Sequence, residues 1–142
     1  MKNFRINEFV CRCGCEMPAE ARQNIEALVA EVLDPVRDEY GKPIYVNSGY
    51  RCEKHNEAVG GVPRSQHLVG QAADISLRLT AYSLQDELMK LAKLIVQQGC
   101  FDQLIIYPTF LHVSYRRTGA NRHKVLRKTA TGYAVVPHTE AI

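Results

Sequence analysis

The chain has 142 residues with 18 Lys and Arg against 15 Asp and Glu, a formal charge of +3, and five cysteines. That length makes one domain able to bury about two-thirds of its unfolded surface, and no apolar run approaches the roughly 20 residues a membrane span needs. Apart from Arg116-Arg117 and residues 122–128 the basic residues are scattered, a weaker stripe than nucleic-acid binding requires. Residues 1–8 lack the apolar core of a secretory signal, so the chain is expected to be cytoplasmic as synthesised.

In chain order, the first feature is the cluster Cys11, Cys13, Cys15. Thiolates are soft ligands that suit zinc, but this spacing is not the usual Cys-x-x-Cys knuckle. An odd cysteine count without a signal peptide argues against a complete disulfide framework. Packing cysteines, reduced or partly oxidised, are the preferred reading, with a structural metal as the lesser alternative.

A helix is predicted from Pro18 or Ala19 to Tyr40. Ala21, Ile25, Leu28, Val29, Val32, Leu33 and Val36 recur at three- and four-residue steps and form one apolar stripe. Pro35 interrupts it, implying a kink or restart. Ile44 to Ser48 reads as a strand delivering Gly49, Tyr50 and Arg51 to a sheet edge, and a guanidinium there can hold a carboxylate or an oxyanion. Cys52 to Arg64 reads as a loop with one helical turn, punctuated by Gly60-Gly61 and Pro63.

The segment Ser65 to Asp74 and the later His112 supply two imidazoles and a carboxylate, the ligand set of a catalytic zinc site that keeps a position for water. On a helix, His67 and Asp74 would stand roughly 10 Å apart, too far to share one ion. Gly70 allows a turn after His67, and Asp74 to Leu79 alternates as a half-buried strand whose polar face begins with Asp74. The same period puts Leu111, Val113 and Tyr115 on one face of a strand and His112 with Ser114 on the other. Two neighbouring strands then aim Asp74 and His112 at one point, with His67 arriving from the loop. Ser65 is placed to bond locally or to substrate.

A second long helix is capped by Thr80 or by a Ser83–Asp86 capping box and ends at Gly99. Residues 103–107 and 110–115 form a hairpin around Pro108-Thr109. Residues 124–127 and 133–136 form another through 129–132, and 137–142, with His138, are expected to fray.

Ser48-Gly49-Tyr50-Arg51, Asn56, Gly60-Gly61, the Ser-x-His-x-x-Gly-x-Ala-x-Asp segment at 65–74 and His112-Val113-Ser114, in this order, resemble the zinc D-Ala-D-Ala peptidases of the M15 family. The likeness is closest to their small single-domain bacterial and phage branch and runs from about Phe4 to Leu126. It implies an α+β, hedgehog/DD-peptidase-like fold, with an antiparallel sheet and helices packed on one side, over one domain spanning 1–142.

The resemblance also implies one catalytic Zn2+ held by His67, Asp74 and His112. It implies hydrolysis of peptidoglycan stem-peptide bonds, as a D-Ala-D-Ala carboxypeptidase or an L,D-type endopeptidase. Ser48, Tyr50, Arg51 and Ser65 would face the substrate, with Arg51 also catalytic. The partner expected is a peptidoglycan or D-Ala-terminated peptide, met by a monomer, with neither nucleic acid nor membrane involved. A wall substrate would then require a phage-type or other export route.

One departure stands out. Many relatives place an acid three residues before the last histidine, where this chain has Thr109. Asp102 is the nearest upstream carboxylate and is carried forward as the candidate general base. Without a base, the alternative is a catalytically weak zinc-containing module that binds wall peptide or a partner.

Overall fold

The computed structural model describes residues 1–137; beyond Pro137 the expected frayed tail, with His138, lies outside the described residues. Six strands form one sheet: β1 Tyr45–Ser48, β2 Ala72–Ser76, β3 Gln103–Ile106, β4 Leu111–Ser114, β5 Lys124–Lys128 and β6 Tyr133–Val135, in the order β1-β2-β4-β3-β5-β6. With the helices below, this is the expected α+β architecture. Every pairing is antiparallel except β3 with β5, which is parallel. The sheet is therefore mixed rather than wholly antiparallel. The reason lies in residues 115–123, which carry the chain back to the start of β3: the Asp102 carbonyl accepts the Lys124 N–H at 2.9 Å, so β5 sets out beside β3 in the same direction.

The first helical run is continuous but not uniform. α1 Ala19–Leu28 passes through a π-helical turn, Val29–Leu33, into α2 Asp34–Tyr40. The wide turn lies just before Pro35, which lacks an N–H and whose ring would crowd the preceding turn of a regular helix. The apolar stripe survives the change of pitch, with Ala21, Ile25, Leu28, Val29, Val32, Leu33 and Val36 all buried.

The presumed loop after Arg51 contains a short helix, α3 Glu53–Ala58, with Cys52 at its N-cap. The second long helix is α4 Ala81–Gln98; Thr80 is its N-cap but caps with no side-chain bond, and Ser83 falls inside the first turn. No helix among the described residues is long and apolar enough to cross a membrane.

β2 starts two residues earlier than its alternation suggested and is buried along its whole length. It lies between β1 and β4, so both of its edges are hydrogen-bonded. On one face Ala73, Ile75, Leu104, Ile106, Leu111 and Val113 join Ile25, Leu28, Leu88, Leu91 and Ile95 of the helices in the main core. On the other face the registers align Ser48, Asp74, His112, Ile105 and Leu126 in one row across five strands. The period of two along each strand delivers chemistry to one side and packing to the other.

Candidate metal centre

The row opens onto a cleft of about 830 Å³, whose lining includes Arg51, His67, Asp74, His112, Tyr107 and Tyr133. β2 and β4 set Asp74 opposite His112. His67 comes from the 3-10 turn Gln66–Val69, which begins after Ser65 and ends at Gly70. The Ser65 hydroxyl accepts the His67 N–H at 3.2 Å, which answers the local half of the expectation for Ser65. Gly70 has φ +75°, and a Cβ there would run into the Ala21 carbonyl, so the turn closes tightly against α1.

His67 Nδ1 lies 2.7 Å from the Gly49 carbonyl oxygen. A carbonyl only accepts, so Nδ1 carries a proton, and Nε2 is the ring nitrogen turned toward Asp74. That nitrogen is 3.2 Å from Asp74 Oδ1, and His112 Nδ1 is 3.0 Å from the same oxygen. One ligand atom from each of the three residues lies within 4.8 Å of the others. The two rings meet edge to face at 5.1 Å.

Lone pairs from two rings and a carboxylate facing one another in a buried place repel unless a proton or a cation sits among them. The donor set of two imidazoles and one carboxylate fits a tetrahedral zinc with one open position. Burial would raise the Asp74 carboxyl, but the His112 and His67 hydrogen bonds outweigh it and hold the group well below the usual carboxylate range. Burial lowers the His112 imidazole, and Asp74 only partly opposes this. Both shifts favour the deprotonated forms that coordinate a metal.

Arg51 completes the arrangement from behind. Its Nη2 donates to Asp74 Oδ2 at 3.2 Å, its Nη1 to Asn56 Oδ1 at 3.3 Å and its Nε to the Ser48 hydroxyl at 3.0 Å. Asn56 is buried and donates to the Val62 carbonyl at 2.9 Å. A Cβ on Gly61 would collide with the Asn56 amide, so a glycine there preserves this support. Ser48 thus serves Arg51 directly.

Three sequence-based expectations need correction or narrowing. Tyr50 does not line the cleft; it is 7% exposed and packs in the main core, because its N–H bonds the Phe9 carbonyl at 2.8 Å and turns the residue inward. Asp102 stands outside the three-residue group. It is fully buried, and its oxygens accept from the Arg122 N–H at 2.8 Å, from Arg122 Nε and Nη2 at 3.1 and 2.8 Å, and from Gln66 Nε2 at 3.1 Å. Burial would raise this carboxyl, but Arg122 and Gln66 draw it down to about 2, too acidic for a base near neutral pH. Thr109 is exposed at the tip of the β3–β4 hairpin, its carbonyl taking the Ser76 hydroxyl at 2.6 Å.

Residues that pattern reading passed over are the Gly49 carbonyl, Gln66 and Tyr107, while Arg116 and Arg122 were visible only as members of basic clusters. A backbone oxygen has no side-chain signature. The others are brought together by pairings between distant segments. Asn56 and Gly61 were visible in the motif run, without the role the packing gives them.

The peptidase M15 family model matches residues 2–114. No curated protein matches the chain. The cleft wall formed by Arg116, Arg122, Leu126 and Tyr133 lies beyond the matched residues.

Proposed function

The chain belongs to the peptidase M15 family, and on that premise we propose that it is a zinc-dependent peptidase hydrolysing a bond in peptidoglycan stem peptides, at a D-Ala-D-Ala terminus or at an L,D-type linkage. The observation that carries this reading is the meeting of His67, Asp74 and His112 on the floor of an open cleft. A zinc ion held there would supply Lewis acidity toward a carbonyl oxygen and toward water.

The chain's own residues do the rest. Asp74, fixed through its second oxygen by Arg51, keeps its first oxygen aimed between the two imidazoles. Arg51 has five N–H donors and commits one from each nitrogen to Ser48, Asn56 and Asp74. Those left over bind a substrate carboxylate or carbonyl. Arg51, Arg64, Arg116 and Arg122 line the cleft, and among the described lining residues Asp74 is the sole carboxylate. Such a surface favours peptides with free carboxylates, as stem peptides have.

Proton transfer is where the chain departs from the family's acid. The Tyr107 and Tyr133 hydroxyls lie 3.1 Å apart beside the cleft. Burial, and then the bond to Tyr133, push the Tyr107 phenol well above its usual range, so it stays protonated near neutral pH and can offer a hydrogen bond to a substrate oxygen. Proton removal from water would fall to a second water or to a group of the substrate.

The lack of a second carboxylate among the described lining residues also favours another reading, a zinc-containing module that binds wall peptide or a partner and cleaves weakly. The same experiment separates the two. Zinc-loaded protein is incubated with purified stem peptides, and products are followed by mass spectrometry, beside the His112→Ala variant. Cleavage by the wild type and none by the variant is expected; saturable binding by calorimetry without cleavage would replace the hydrolase by the module.

A further inference from the structure

We propose that Cys11, Cys13, Cys15 and Cys52 form a second metal centre, a closed tetrathiolate site for one structural zinc ion that pins the N-terminal segment to the residues carrying Arg51. The four sulfurs lie within 4.8 Å of one another. Cys11 Sγ is 3.2 Å from Cys13 Sγ and 3.8 Å from Cys52 Sγ, and Cys13 Sγ is 3.6 Å from Cys52 Sγ. Four sulfurs bound tetrahedrally at about 2.3 Å stand roughly 3.8 Å apart, so these gaps match ligands around one ion. Disulfides would instead group the sulfurs in pairs at about 2.05 Å.

The chain path explains how an unusual spacing becomes a site. In an extended strand Cys11, Cys13 and Cys15 would follow one another at steps of about 7 Å. Here the Cys11 carbonyl accepts the Gly14 N–H at 3.0 Å, and Gly14 at φ +84° reverses the chain so that Cys15 returns beside its neighbours. The fourth thiol arrives from 37 positions beyond Cys15, at the N-cap of α3. Backbone amides already point at the sulfurs: the Cys52 N–H donates to Cys11 Sγ at 3.5 Å and the His55 N–H to Cys52 Sγ at 3.4 Å. Such donors stabilise thiolate ligands and orient them.

Four protein ligands leave no open position, so the role is structural rather than catalytic. None of the four belongs to the His67, Asp74, His112 group, and the proposal stands apart from the peptidase reading. The clamp bears on the cleft nonetheless. It fastens residues 9–15 against residues 49–52, where the Phe9 carbonyl takes the Tyr50 N–H, Gly49 orients His67, and Arg51 reaches Asp74.

The test uses full-length protein purified under reducing conditions without chelator. Elemental analysis is expected to give two zinc ions per chain in the wild type and one in the His67→Ala, His112→Ala double variant. X-ray absorption at the zinc edge of that variant should show four sulfurs at about 2.3 Å. Should the variant fail to fold, a mercurial thiol reagent added to the wild type is expected to release one of two zinc ions as the five thiols react, four of them from this site and the fifth Cys100.

Zinc coordinated only by nitrogen and oxygen overturns the proposal. So does iron in its place, a mass lowered by the hydrogens of disulfides, or no zinc released by the thiol reagent. Loss of cleft zinc alone would leave this site standing while removing the peptidase reading.

Discussion

Arg51 bridges three partners with one planar fork, and that geometry is what lysine lacks. Arg51→Lys is expected to keep one cleft zinc while kcat/KM on stem peptides falls by about a hundredfold, the size of loss seen when a positioned oxyanion donor is removed. An unchanged kcat/KM would return Arg51 to a purely supporting part. Asn56→Ala tests the layer beneath, because it leaves Arg51 Nη1 and the Val62 carbonyl without their shared partner. A loss of about 1–3 kcal/mol is expected in urea unfolding. At this scale His67, Asp74 and His112 were legible because ligand chemistry and strand period are written in side chains. Tyr50 was misread because adjacency to Arg51 does not say which way a residue faces after a strand ends. Asn56 and Gly61 act through packing contacts that no spacing announces.

Among the elements, the 3-10 turn that delivers His67 depends on Gly70. Gly70→Ala forces a side chain onto a left-handed backbone and against the Ala21 carbonyl, and should cost about 2 kcal/mol or more. A drop in Tm together with weaker zinc retention on dialysis is expected; a Tm like the wild type would mean that the turn relaxes away from α1. The helix over residues 19–40 was readable down to the trouble at Pro35, since apolar periodicity and a missing N–H are local facts. Its solution, one π-helical turn, was not, because it depends on how the following turn packs. The parallel pairing of β5 with β3 was likewise hidden. Alternation reveals that a strand has two faces and says nothing about its neighbour.

Across the whole molecule, Asp102 ties together segments far apart in the chain. Its carboxylate takes bonds from Gln66 and Arg122, with Arg116 Nε at 3.4 Å, so one group braces the cleft wall that lies past the family match. Its carboxyl is drawn from an ordinary value of 3.8 down to about 2 in the folded state. The stabilisation is therefore fully present above about pH 4 and disappears as pH falls through about 2, a contribution on the order of 2 kcal/mol. Asp102→Asn is expected to lower stability by that order at pH 7 and to flatten the acid limb of stability between pH 4 and 2, measured by urea unfolding at a series of pH values. An acid limb identical to the wild type would assign the acid sensitivity to other carboxylates. The aim of His67, by contrast, rests on a backbone oxygen at Gly49 that no side-chain deletion can remove. An alanine scan would score both imidazoles and the aspartate yet miss this atom, except through damage at Gly49 itself, where a Cβ would come within 2.6 Å of the Phe9 Cα. Mutational maps of this centre should therefore show sensitivity at a residue whose side chain does nothing, and an ester in place of the 49–50 peptide would leave the aiming carbonyl present but a weaker acceptor.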